Sequence, residues 1–109
     1  MKTPLFTGAA TAIVTPFRDG EIDFEAFGRF IELQYAGGVS AIVVCGTTGE
    51  SATLSPEEQE ALVRFAAKKS GGRRKIIAGI GGNDTRKAMA MARRAEASGA
   101  DGLLMVTPY

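Results

Sequence analysis

The sequence contains no histidine and a single cysteine, Cys45. Without histidine, the commonest general base and transition-metal ligand are missing, so we expect no metal site and no bound cofactor. One cysteine cannot form an intrachain disulfide, which fits a reducing, cytoplasmic location. No apolar run is long enough to span a bilayer, and none follows Met1 as in a secretory signal. We therefore expect no membrane partner.

Charge is nearly balanced, at a formal net +1, so no global field favours nucleic acid as a partner. The densest basic cluster brackets a Gly-Gly turn and consists of Lys68, Lys69, Arg73, Arg74 and Lys75. It indicates a solvated helix end, whose cations favour the negative end of the helix dipole, in preference to a phosphate-binding patch. With 45% hydrophobic and 23% charged residues, the composition predicts one globular domain over residues 1–109.

Four short apolar runs recur about thirty residues apart, which is the size of one strand–helix unit. They are residues 10–14, 41–45, 76–80 and 102–106. Each run is nearly continuous instead of alternating, as in parallel strands that are buried on both faces.

Three helices are predicted between these strands. The first begins near Asp23, a good N-cap, and ends at Gly37-Gly38. The second begins at Ser55-Pro56-Glu57-Glu58, a capping box with proline at the first helical position, and ends at residues 70–72. The third begins at Asn83 or Asp84 and ends at Gly99. The resulting β-α-β-α-β-α-β order favours an α/β fold with a parallel sheet.

The chain stops at Tyr109, directly after the fourth predicted strand. A TIM (β/α)8 barrel needs about 250 residues. We therefore predict the N-terminal half of such a barrel, with a self-contained doubly wound domain as the alternative.

The segment 46–54, Gly-Thr-Thr-Gly-Glu-Ser-Ala-Thr-Leu, is the strongest candidate site. It follows the second strand, and α/β folds place their sites at the carboxyl ends of parallel strands. Gly46 and Gly49 allow a tight turn, while Thr47 and Thr48 supply hydroxyls that suit a small carboxylate or phosphate. A polar turn that caps its own backbone fits equally well. Within it Glu50 could be a general base, although a solvated carboxylate at a helix start is favoured.

Two further features have simpler interpretations. Residues 79–84 resemble a dinucleotide fingerprint only poorly, so a turn with an Asn or Asp helix cap is favoured. Cys45 is expected to be a small buried hydrophobe, because no histidine accompanies it as a base.

The nonapeptide at 46–54 resembles the signature loop of the dihydrodipicolinate synthase family. Residues 6–8, 11–17 and 106–109 match the same family in order. The resemblance covers the whole chain but only the N-terminal portion of the family's length, and it implies a lyase on a TIM barrel. In that family a lysine forms a Schiff base with pyruvate, and the derived enamine condenses with L-aspartate semialdehyde in lysine and diaminopimelate biosynthesis. The product is 4-hydroxy-tetrahydrodipicolinate.

The resemblance implies a role for individual residues. Thr47 would act in a proton relay, and Thr48 with its backbone, between Gly46 and Gly49, would hold the pyruvate carboxylate. The positions that line the family's interface and inhibitor pocket are Ser51, Ala52, Asn83 and Tyr109. A homotetramer built as a dimer of dimers is also implied.

Two departures from the family pattern lead to predictions. None of the lysines ends a strand at the catalytic face, so we expect the chain alone to be inactive. Lys87 stands where regulated members carry a glutamate that binds the amino group of the inhibitor lysine, so we expect weak lysine inhibition.

Two other functions stay open from the sequence. One is a related pyruvate-dependent aldolase, of the N-acetylneuraminate lyase or keto-sugar-acid type. The other is a small anion-binding α/β module, in which Thr47 and Thr48 cradle an anion.

Overall fold

The computed structural model describes residues 3–80 and 84–105. These described residues form ten elements between Ala10 and Leu104. In order they are β1 (Ala10–Ala12), β2 (Phe17–Arg18), β3 (Glu21–Ile22), α1 (Phe24–Ala36), β4 (Ala41–Val44), a 3-10 helix (Ser51–Thr53), α2 (Pro56–Ser70), β5 (Lys75–Gly79), α3 (Thr85–Ala97) and β6 (Gly102–Leu104).

The main sheet has four parallel strands in the order β1-β4-β5-β6. Successive parallel strands are thus neighbours, as in a barrel, whereas a doubly wound sheet reverses its order at a switch point. All four predicted strands are present. Their bounds differ from the predicted ones: β1 ends at Ala12, not Val14, β4 ends at Val44, before Cys45, and β5 keeps five residues but spans Lys75–Gly79 instead of 76–80. The predicted end of the last strand, Val106, lies outside the described residues.

The three predicted helices are confirmed, together with their caps. The Asp23 carboxylate accepts from the Ala26 N–H at 2.9 Å, and Asp84 caps α3. At the start of α2, Ser55 and Glu58 form the reciprocal capping box, with bonds of 2.8 and 3.1 Å. These side chains satisfy N–H groups that have no partner inside a helix.

The hydrophobic core lies between one face of the sheet and the helices. Its largest fully buried side chains include Phe27 and Ile31 of α1, Leu62 of α2, Ile42 of β4 and Ile76 of β5. They follow the predicted helical stripes, because residues three and four apart share a helix face.

The prediction that every strand is buried on both faces is wrong for β1 and β6. Residues 41–44 are buried or half-buried throughout, but Ala10, Ala12, Leu103 and Leu104 are exposed. The reason is position, since β1 and β6 are the two edges of the described sheet and each pairs on one side only.

A small antiparallel hairpin of β2 and β3 was not predicted. Its turn, Asp19-Gly20, has positive φ at both residues, 53° and 81°. Asp-Gly is the dipeptide preferred in such two-residue hairpin turns, so the signal was present in the sequence.

Candidate functional site

The candidate site lies where three neighbouring strands reach their carboxyl ends. The loop that begins at Gly46 follows β4, Thr15 follows β1, and Gly79 ends β5. Thr47 and Thr48 are both exposed in this loop, at the end of the sheet where the sequence placed them. Parallel strands meet at one edge with their carboxyl ends, so residues distant in sequence converge here.

The loop is a tight turn held by its own backbone. The Gly49 N–H donates to the Gly46 carbonyl and the Glu50 N–H donates to the Thr47 carbonyl, each at 3.0 Å. Glu50 then adopts left-handed backbone, with φ of 61°, and leads into the 3-10 helix at Ser51. Within the described part of the chain, neither threonine hydroxyl is bonded to another residue.

Thr15 links the loop to β1 and was not identified from the sequence. Its hydroxyl donates to the Gly49 carbonyl at 2.7 Å, and the residue is only 4% exposed. Gly49 fits closely: a Cβ there would lie 3.2 Å from both the Ile13 carbonyl oxygen and the Thr15 hydroxyl, and 3.3 Å from the Cys45 nitrogen. A side chain at position 49 would crowd these three atoms, so glycine favours the close approach of the loop to this segment. No local motif connects residues 34 positions apart.

The backbone kink at Cys45 turns the chain from β4 into the loop. Cys45 has a φ of 60°, which is unusual for a residue with a side chain. A Cβ on the facing Gly79 would lie 2.8 Å from the Cys45 carbonyl carbon and 3.0 Å from Gly46 Cα. The glycine at the end of β5 therefore makes room for the kink beside it.

The Cys45 side chain is buried, as predicted, with 1% of the residue exposed. Burial raises the pKa of its thiol to about 12, because the thiolate loses hydration. The Sγ atom lies 3.8 Å from the Gln59 carbonyl oxygen. The thiol therefore packs as a small apolar group and is not a nucleophile at neutral pH.

Helix α2 supports the other side of the loop. The Gln59 side-chain amide donates to the carbonyls of Ser51, at 3.0 Å, and Leu54, at 3.4 Å. The Thr53 hydroxyl donates to the Glu50 carbonyl at 3.0 Å. The carboxyl-terminal part of the loop, residues 50–54, is thus held by side-chain hydrogen bonds.

The other predicted site residues are placed only in part. Ser51 is half-buried and Ala52 exposed, both in the 3-10 helix. Asn83 and Tyr109 lie outside the described residues. Glu50 is exposed and its side chain makes no capping bond, so it is a solvated carboxylate. In the segment 79–84, Asp84 caps α3 as favoured, since its carboxylate accepts from two backbone N–H groups.

The basic cluster is a helix end, as predicted. Arg73 forms an ion pair with Glu32 at 2.8 Å, and this hydrogen bond lowers the pKa of the Glu32 carboxyl. The Arg74 guanidinium donates to the Val39 carbonyl at 2.7 Å. Lys75 begins β5 at the amino end of the sheet. It is therefore at the opposite end from residues 46–51, the loop with Thr47 and Thr48, which we call the threonine loop.

Among residues 3–80 and 84–105, no three His, Cys, Asp or Glu side chains cluster as a metal site would require. In the same ranges no helix is both long and apolar enough to cross a membrane.

A family model described as the dihydrodipicolinate synthetase family matches residues 5–109. The chain belongs to this family. Among its relatives, the 4-hydroxy-tetrahydrodipicolinate synthase of Aquifex aeolicus is 50% identical over 105 residues. That match covers 96% of this chain and 36% of the relative.

Solved structures of dihydrodipicolinate synthases match equally well. The Thermotoga maritima structure has a TM-score of 0.94 at 44% identity. The match covers 97% of this chain and 36% of the T. maritima chain. The structure of the chloride-inhibited Acinetobacter baumannii enzyme, complexed with pyruvate, has a TM-score of 0.90 at 41% identity. That match covers 94% of this chain and 35% of the A. baumannii chain. With the observed strand order, these matches confirm a partial (β/α)8 barrel. The chain spans about a third of the length of the dihydrodipicolinate synthases that it matches.

Proposed function

We propose that residues 46–51 form the pyruvate-binding loop of a 4-hydroxy-tetrahydrodipicolinate synthase. The observation that carries the proposal is the pair of exposed threonine hydroxyls, Thr47 and Thr48, at the carboxyl ends of a parallel barrel sheet. Support comes from the relatives named as this synthase and from the A. baumannii relative complexed with pyruvate.

The loop suits a small keto acid for electrostatic reasons. The Thr48 hydroxyl and neighbouring backbone N–H groups offer donors to a carboxylate, and charge-assisted hydrogen bonds of this kind are the stronger ones. The Thr47 hydroxyl can both donate and accept, as a proton relay requires. In the complete reaction, the pyruvate carbonyl condenses with a lysine amine and loses water. The enamine then attacks the aldehyde of L-aspartate semialdehyde.

We further propose that residues 1–109 are the N-terminal part of a single barrel domain. We also propose that the chain alone is catalytically inactive. Of the described lysines, Lys68 and Lys69 end α2, Lys75 begins β5 and Lys87 lies in the first turn of α3. None of these positions ends a strand beside Thr47. In the complete protein we propose cytoplasmic homotetramers, with Ser51, Ala52, Asn83 and Tyr109 near an interface. Lys87 is exposed, and its positive charge opposes binding of the lysine inhibitor.

The test uses two proteins. In the chain alone, borohydride treatment with pyruvate should give no covalent adduct by mass spectrometry. The second is a hybrid in which this chain replaces the matching third of the A. aeolicus relative. This hybrid should form the adduct and catalyse the condensation.

In the hybrid, Thr47→Val should lower kcat about a hundredfold, which is typical for loss of a proton-transfer group. Thr48→Val should raise the KM for pyruvate about tenfold, as expected for one lost hydrogen bond to a charged group. Thr7→Val is the matched control and should leave both constants unchanged, because Thr7 is exposed and precedes β1, at the opposite, amino end of the sheet. Adduct formation by the chain alone, or full activity of Thr47→Val, would contradict the proposal.

A further inference from the structure

Among the described residues, the Thr15 hydroxyl makes the single side-chain hydrogen bond between the turn of the threonine loop and the segment that follows β1. It donates to the Gly49 carbonyl at 2.7 Å, and Thr15 is 4% exposed. Because the bond is shielded from water, its loss would leave the Gly49 carbonyl without a partner in a buried place.

Gly49 transmits this constraint to both site threonines. Its N–H bonds the Gly46 carbonyl at 3.0 Å, and the next N–H, of Glu50, bonds the Thr47 carbonyl at 3.0 Å. Thr47 and Thr48 lie between these bonded residues. A shift of Gly49 would therefore move the two hydroxyls relative to β1.

We infer that Thr15 is a positioning residue for pyruvate, which acts by holding Gly49 and so fixing the Thr47 and Thr48 hydroxyls in their binding geometry. The inference rests on the proposed function for its substrate, but the positioning itself is a property of the loop. The hydroxyl touches the loop backbone, so its effect on a ligand is indirect.

Thr11, in β1 four residues before Thr15, provides a matched control. Its side-chain oxygen is also buried, but it has no hydrogen-bond partner among the described residues. Threonine and valine have nearly the same shape. Thr15→Val removes a bonded hydroxyl, whereas Thr11→Val removes an unbonded one.

The first measurement is amide hydrogen exchange in the hybrid defined above, at Gly49, Glu50 and Ser51. Thr15→Val should speed exchange at these amides about tenfold, because one net hydrogen bond that protects them from exchange is lost. Thr11→Val should leave the exchange unchanged, and Thr15→Ser should restore protection. Unchanged exchange in Thr15→Val would refute the positioning role, whatever reaction the protein catalyses.

The second measurement is kinetic and uses the hybrid defined above. Thr15→Val should raise the KM for pyruvate about tenfold, and Thr15→Ser should return it close to the parent value. A purely structural role would reduce the amount of folded enzyme but leave that KM unchanged. Faster exchange with an unchanged KM would also overturn the inference, while a hybrid without activity would refute only the proposed function.

Discussion

The open edges of the sheet lead to a prediction about the chain in solution. The chain exposes 6809 Å² of accessible surface. A compact monomer of 11.4 kDa exposes about 5,800 Å² by the usual scaling with mass. The excess, about 1,000 Å², is larger than the roughly 800 Å² that one partner buries in a standard interface. We therefore expect self-association at micromolar concentrations.

The exposed apolar side chains show where association should occur. Val14 follows the edge strand β1 and is 46% exposed, while Leu104, in the edge strand β6, is 45% exposed. Full burial of such a side chain is worth about 1.5–3 kcal/mol, so covering the exposed half of each contributes about 1 kcal/mol. Replacing both side chains should therefore weaken association by about 2 kcal/mol, which raises the dissociation constant roughly thirtyfold.

The perturbation is the double variant Val14→Lys with Leu104→Lys. The matched control is Leu33→Lys, because Leu33 is 65% exposed on α1 and faces away from the core. Sedimentation velocity from 1 to 100 µM should show association of the parent chain. It should be about thirtyfold weaker in the double variant and unchanged in the control. A parent chain that stays monomeric at 100 µM and unfolds cooperatively in urea would refute the reasoning and favour a self-contained module.

Two further predictions concern the β4 kink. Gly79→Ala should destabilise the chain by about 3 kcal/mol in urea unfolding, since the new Cβ would press on the backbone of Cys45 and Gly46. Gly28 lies inside α1, and a Cβ there would lie 3.4 Å from Phe65 Cζ, so Gly28→Ala should be neutral or stabilising. Equal losses of stability in the two variants would contradict the argument. The Cys45 thiol should resist thiol reagents at pH 8 until the chain unfolds. Because its pKa rises from 9.0 unfolded to about 12 folded, the unfolded state loses its proton first, and stability should fall between about pH 9 and pH 12. Rapid labelling of the native chain would show that the thiol is accessible.

Much of the fold could be predicted because its signals are local. Apolar runs thirty residues apart marked the strands, and the caps at Asp23, Ser55 and Asp84 marked the helix starts. Each depends on neighbouring residues within one turn of the chain. The position of Thr47 and Thr48 also followed, because a loop after a parallel strand must lie at its carboxyl end.

The rest depends on how distant parts of the chain meet. The bond from Thr15 to Gly49 joins segments that follow two different strands, and the fit of Gly79 against Cys45 exists only once β4 and β5 pair. The exposure of β1 and β6 likewise follows from sheet position, since their composition matches that of the buried strands. The sequence alone therefore determined the order of strands and helices and the loop that carries the candidate site. Tertiary structure alone decided what holds that loop in place, because those contacts form between backbones that are far apart along the chain.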